Sequence, residues 1–185
     1  MLSRAFHDDP AFGWMFAAQR SRHRRTRRYF LTEMHHESLR HGAVEVARVD
    51  GRVAGAAGWF PPGTWAGTEA SAMLGYLRAC GRHLITAYRY QSEAVRAHPR
   101  EQPHWYLGFI GVDPVRQGSG VGAALLRSRL RRCDEEGQPA YLESSNVKNV
   151  PLYEHFGFQV TGALDLPEGA PVVNTMWRPG DSSPV

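Results

Sequence analysis

The run Gln117-Gly118-Ser119-Gly120-Val121-Gly122 carries the plainest chemistry in this chain. An apolar, strand-like segment from Tyr106 to Val112 precedes it, and an apolar helical stripe (Gly122, Leu125, Leu126, Leu130, Cys133) follows. Pro114 blocks continuation of the strand, because it has no N–H for the ladder. The alternating glycines let the backbone turn sharply and keep side chains clear of a ligand. The first N–H groups of the following helix have no partner inside it, and the helix dipole is positive there. Such a turn suits a phosphate or pyrophosphate. A tight strand-to-helix turn without a ligand is the alternative.

Two phosphate motifs can be compared with it. No Gly-Lys-Ser/Thr follows, so it is not a Walker A loop. Gly118, Gly120 and Ala123 do fit the looser G-x-G-x-x-A pattern of dinucleotide-binding folds. Glu143 falls about twenty residues further on, where a ribose-binding carboxylate belongs. Against that reading, Asp113-Pro114-Val115-Arg116-Gln117 separates the strand from the first glycine. Too little chain follows Glu143 to complete a doubly wound sheet.

Strand, Q-x-x-G-x-G from Gln117 to Gly122, helix, strand, then Asn146, Tyr153 and Gly157-Phe158 at their spacing resembles the GNAT superfamily of acyl-CoA N-acyltransferases. Leu142-Glu143-Ser144-Ser145 and Asn149-Val150-Pro151-Leu152-Tyr153 resemble the branch that contains puromycin N-acetyltransferase. The resemblance covers the C-terminal part of the chain with specific motifs and the rest only in pattern. It implies an α/β fold, with a mixed, mostly antiparallel central sheet flanked by helices. The superfamily's first strand would precede Leu2. Either the sheet lacks it here, or the start of the chain has been lost or misassigned.

The resemblance also implies acetyl-CoA as co-substrate, an amine as acceptor, and direct attack without an acyl-enzyme. Gly108 and Gly111 inside a strand point to a bulge. In the superfamily such a bulge lets pantetheine add to the strand edge, as in strand augmentation. The backbone around Ile110, Gly111 and Val112 would then face the thioester and its oxyanion. Gln117, Gly118, Ser119, Gly120, Val121 and Gly122 would take the pyrophosphate. Asn146 and Asn149 flank the cofactor-binding position, and either bond pantetheine or cap the next helix. Tyr153 stands at the superfamily's tyrosine position, the general acid for the leaving thiolate. Many members carry a glutamate base on the central strand, where this chain has His104, Trp105 and Tyr106. Glu143 on the neighbouring strand is the candidate base, with His104 or a water relay as alternatives.

At 185 residues the chain is long enough for one ordinary domain, read as 1–178 with a frayed tail at 179–185. No apolar run is long enough to span a bilayer, and no signal-peptide core follows Met1. Cys80 and Cys133 are the only cysteines and fall in apolar helical stripes, which excludes a disulfide scaffold and fits a cytoplasmic protein. The net charge of +4 favours anionic ligands without specifying nucleic acid.

The elements that must position these residues are legible in outline. Asp9-Pro10 reads as a helix N-cap and first turn. Phe12, Trp14, Met15 and Phe16 then either cover an acceptor pocket or fill the core. Asp50-Gly51 joins strands Val44 to Val49 and Arg52 to Phe60 as a hairpin. Trp59, Phe60 and Trp65 at its end form an acceptor wall or structural packing. Gly67 to His98 reads as helix, broken near Gly81. Six arginines between Arg20 and Arg28 form a solvated helix surface or a nucleic-acid patch. His35, His36, Glu37 and His41 lack a ligand spacing such as H-E-x-x-H, so no metal is assigned.

The expected function is therefore acetyl transfer from acetyl-CoA to a primary amine, on a small molecule. Protein or peptide N-acetylation, a non-catalytic coenzyme A-binding module and a nucleic-acid-associated protein are the alternatives. A homodimer is the oligomeric state common among similar proteins.

Overall fold

The computed structural model describes residues 1–40, 43–65 and 70–180. His41, positions 67–69 of the long helical stretch, and positions 181–185 of the expected tail lie outside them. The helices are α1 (Leu2–Ala5), α2 (Pro10–Met15), α3 (Gln19–Thr32), α4 (Met73–Cys80), α5 (Leu84–Ala97), α6 (Val121–Glu135) and α7 (Val150–His155). The strands are β1 (Val44–Val49), β2 (Arg52–Phe60), β3 (Trp105–Val112), β4 (Ala140–Ser144), β5 (Gln159–Ala163) and β6 (Asn174–Arg178).

The six strands form one sheet in the order β1-β2-β3-β4-β6-β5. Only the β3–β4 pair is parallel. This is the expected mixed, mostly antiparallel sheet flanked by helices. A doubly wound sheet is mostly parallel, so the dinucleotide pattern at Gly118 to Ala123 belongs to a different fold. Asp50 (φ 52°) and Gly51 (φ 73°) are both left-handed, as a type I′ hairpin requires. Among the described residues no strand precedes Val44. α1 packs on β3 instead, where a Cβ on Gly111 would lie 2.8 Å from Leu2 and 3.2 Å from Ala5. Arg4 pairs with Asp113 at the end of the same strand.

α6 covers one face of the sheet. Its buried stripe (Val121, Leu125, Leu126, Leu130, Cys133) packs on Trp59, Trp105, Leu107 and Leu142. Gly55 is small because α6 crosses there; a Cβ would lie 2.8 Å from Val121. Trp59 is fully buried in this core. It therefore forms no part of an acceptor wall, in contrast to Phe60 and Trp65.

The other face carries an aromatic cluster of Phe12, Met15, Phe16, Phe30, Cys80 and Phe109. Two of the six arginines on α3 are spent on structure. Arg22 donates to the Phe16 and His7 carbonyls at 3.2 and 3.3 Å. Arg25 donates to the Ala79 and Cys80 carbonyls at 2.9 Å each, closing the C-terminus of α4. The break expected at Gly81 is there, with φ 53° and a 3-10 turn over Gly81–His83. Both cysteines are free and buried; burial pushes the Cys80 thiol up to about 11 and the Cys133 thiol to about 12. Neither is a nucleophile near neutral pH. No described helix is long and apolar enough to cross a membrane.

Candidate active site

The site begins where β3 leaves β4. Their register runs from Trp105↔Ala140 to Leu107↔Leu142 and stops, although β3 continues to Val112. The cause is one extra residue. Pairing with β2 steps from Trp59↔Leu107 to Gly58↔Phe109, so Gly108 has no opposite number. Glycine is required there, because a Cβ would sit 2.7 Å from the Phe60 ring. A bulge also moves every later side chain to the other face. Trp105 and Leu107 point to α6, whereas Phe109 points to the aromatic cluster.

Beyond the bulge the strand edge is open. The Asp113 N–H donates to the Ala54 carbonyl at 2.7 Å, which fixes the phase of the antiparallel ladder. Ile110 and Val112 alternate with it and turn their N–H and C=O groups away from β2, into the fork. Gly111 instead packs against α1.

The glycine turn lies at the end of this strand. Gly118 (φ 75°) and Gly120 (φ 83°) are left-handed, and Gly120 is the N-cap of α6. The first helical bond runs from the Ala124 N–H to the Gly120 carbonyl at 2.9 Å. The N–H groups of Val121, Gly122 and Ala123 precede it and have no partner in the helix. Ser119 Oγ donates to the Arg116 carbonyl at 2.6 Å, and Gln117 Nε2 to the Val112 carbonyl at 3.4 Å. These two side chains therefore shape the turn. The surrounding surface from Pro114 to Gly120 is exposed, so the free N–H groups are open to an anion.

Inside the fork lies a cavity of about 1100 Å³, its open mouth included. Glu143 on β4, Tyr153 on α7, Asn149 and Ile110 all line it. The Tyr106 hydroxyl donates to Glu143 Oε2 at 2.7 Å. Glu143 Oε1 is buried without a hydrogen-bond partner. Burial pushes the carboxyl up to about 7, against the pull of the Tyr106 and Tyr141 hydroxyls. A carboxylate accepts a proton most usefully when it titrates near the working pH.

Tyr153 is held from both ends of its short helix. Asn146 accepts from the Lys148 N–H at 3.1 Å, capping the 3-10 turn that leads into α7. Gly157 (φ 84°) ends the helix, and Arg178 Nε donates to the Phe156 carbonyl at 2.8 Å. Tyr153 itself is 6% exposed, and its hydroxyl makes no hydrogen bond among the described residues. Burial first, and the charge of Asp9 second, push its pKa up, so it stays a protonated donor. Asn146 is turned to its capping bond and does not line the cavity. His104 is turned elsewhere too. It donates from Nδ1 to the Gln102 carbonyl at 2.7 Å, and its Nε2 lies 3.1 Å from His98 Nε2 in a separate hollow.

Several lining residues were invisible as site residues in the sequence. Asp9 was legible only as a cap, and it does accept from the Phe12 N–H at 3.0 Å. Its other oxygen accepts from Ser145 Oγ at 2.5 Å, across 136 positions of chain. Glu33 and Glu37 also face the cavity, from the π-helical turn Glu33–Ser38 that extends α3. Glu37 carried a weak signal through the neighbouring histidines, and Glu33 none. Among the described residues, no group of three or more His, Cys, Asp or Glu is placed to hold a metal.

The model of the acetyltransferase (GNAT) family matches residues 4–158, and the chain belongs to that family. An uncharacterised N-acetyltransferase of Schizosaccharomyces pombe is 48% identical over 59 residues, 32% of this chain and 24% of the relative. A mycothiol acetyltransferase of Paenarthrobacter aurescens is 35% identical over 69 residues, 34% of this chain and 21% of the relative. The match thus spans less than a quarter of the length of these curated relatives. The structure of a protein described as histone acetyltransferase HPA2 and related acetyltransferase, from Corynebacterium glutamicum, superposes with a TM-score of 0.73. It is 25% identical, and the superposition covers 100% of this chain and 90% of that one.

Proposed function

We propose that this chain transfers an acetyl group from acetyl-CoA to a primary amine of a small molecule, by direct attack. The observation that carries this reading is Glu143: an enclosed carboxylate with a free oxygen and a pKa near 7, in the cavity where β3 and β4 part. In this reading the glycine turn from Gln117 to Gly122 holds the pyrophosphate. The edge groups of Ile110 and Val112 hold pantetheine, and the oxyanion forms against the same edge. Gly111 contributes space for α1 rather than a contact. Asn149 borders the thioester end, and Asn146 positions α7.

The amine arrives protonated and gives one proton to Glu143. Its nitrogen then bonds to the thioester carbon, the C–S bond breaks, and the thiolate takes a proton from Tyr153. The nitrogen's surplus proton restores the tyrosine and Glu143 releases its proton to solvent, giving the amide, the free thiol and one proton overall. Holding both reactants in the fork supplies much of the rate through orientation.

Relatives named for mycothiol support a small-molecule acceptor. The segments Leu142 to Ser145 and Asn149 to Tyr153 support the puromycin acetyltransferase-like branch as the finer placement. The buried, reduced thiols support a cytoplasmic setting. The test is acetyl transfer to an amine panel, read as thiol release, beside melting with acetyl-CoA, coenzyme A and NAD. Acetyl-CoA and coenzyme A are expected to stabilise the protein by about 2.7 kcal/mol at a hundred times their dissociation constants, and NAD not at all. Transfer only to peptides would overturn the small-molecule acceptor. Stabilisation without transfer to any amine or peptide would leave a binding module.

A further inference from the structure

The cavity is more acidic than a simple amine requires. Asp9, Glu33, Glu37 and Glu143 line it. No Lys, Arg or His does so among the described residues, in a chain whose net charge is +4. We infer that the acceptor is a dication, whose reacting amine lies at Glu143 while a second cationic group lies at Glu33. This rests on the acetyl-transfer reading of the same site and names its substrate class.

The four carboxylates fall into two groups. Glu143 and Asp9 both act electrostatically on Tyr90. Glu33 and Glu37 act on Tyr29 and Tyr76. Tyr29 also feels Tyr90, so the two acidic ends are bridged by phenols. The Tyr29, Tyr90 and Tyr153 hydroxyls make no hydrogen bond among the described residues, and all three line the cavity. Tyr153, 6% exposed, is a buried polar group aimed at whatever fills that space.

Glu33 is held in place by neutral donors alone. Its Oε2 accepts from the Tyr76 hydroxyl at 2.6 Å and its Oε1 from Ser38 Oγ at 2.9 Å. No ion pair neutralises it among the described residues. Glu37, four positions on, adds a like charge. Like charges at that spacing oppose the helix, and a π-turn is itself rare outside functional segments. A buried carboxylate left without a counter-charge is costly, and an entering cation removes that cost. Tyrosine faces add cation–π attraction for an ammonium or guanidinium group. A neutral tail would gain none of this.

The test compares α,ω-diamines with amino alcohols of the same chain length as acetyl acceptors. One length of diamine is expected to exceed its amino alcohol by about tenfold or more in kcat/KM, which corresponds to one well-placed charge contact. Glu33→Gln is expected to raise KM for that diamine by a similar factor, and to change kcat/KM for the amino alcohol by much less. Equal rates for diamines and amino alcohols at every length would overturn the dication, yet keep the acetyltransferase reading. An equal loss for both acceptors in Glu33→Gln would assign Glu33 to structure and overturn the inference. The wild-type series decides the matter even if the variant fails to fold. Absence of transfer to any amine would overturn both readings.

Discussion

Glu143 shows how much a single residue's chemistry depends on enclosure. A glutamate in water titrates near 4.3 and is a poor base for an ammonium group. Enclosure between Tyr106 and the cavity moves it to about 7, while the Tyr106 hydroxyl keeps it accessible as a carboxylate. Glu143→Gln preserves shape and removes the proposed base. Transfer is expected to slow by on the order of a hundredfold or more. In the wild type kcat/KM should rise with pH through about 7, because only the ionised carboxylate takes the proton. That rise should vanish in the variant, with coenzyme A binding intact. A pH–rate profile of both proteins checks it; an unchanged rise would assign the base to another group. Tyr153, on α7, lines the same cavity.

At the scale of elements, two glycine features set the geometry. The bulge at Gly108 opens the fork, and the left-handed pair Gly118 and Gly120 shapes the turn that starts α6. Gly120→Val tests the second feature. A β-branched residue at φ 83° is strained, at a cost of roughly 1–2 kcal/mol, and its side chain would crowd the open N–H groups. The melting temperature should fall modestly, while affinity for coenzyme A should fall at least tenfold, as measured by titration calorimetry (tenfold being about 1.4 kcal/mol). A fall in melting temperature with unaltered affinity would remove this turn from the binding site. The turn was legible in sequence because its cause is local. The bulge was legible as two strand glycines, but not which one was unpaired. Gly108 takes the bulge, whereas Gly111 makes room for α1.

For the whole molecule, the buried carboxylates make stability depend on pH. The folded Glu143 holds its proton up to about 7, against an ordinary 4.5. Between those values the folded chain binds more protons than the unfolded one, so stability falls as pH rises. Asp9 and Glu33 are raised in the same sense by burial. Lowered carboxyls, Asp113 beside Arg4 and Glu136 beside Arg132, work the other way. Urea unfolding should therefore show a loss on the order of 3 kcal/mol from Glu143 alone between about pH 4.5 and pH 8. Glu143→Gln should flatten that part of the curve; an equally steep curve in the variant would place the titration elsewhere.

The sequence by itself determined what neighbouring residues decide: the Asp50-Gly51 hairpin, the Asp9 cap, the break at Gly81, the glycine turn and the stripe of α6. Their causes are backbone preferences and side-chain periodicities within a few positions. It also carried enough motif to place the chain in its family. Only the tertiary structure decided that Trp59 is core while Phe60 and Trp65 border the cavity. It alone turned Asn146 to a cap and His104 to a separate hollow. It alone brought Asp9, Glu33, Glu37 and Glu143 around one space. Burial is a property of the assembled layers, and a carboxylate's pKa follows burial. The raised pKa of Glu143 therefore did not exist until β4 was enclosed beside Tyr106 of β3.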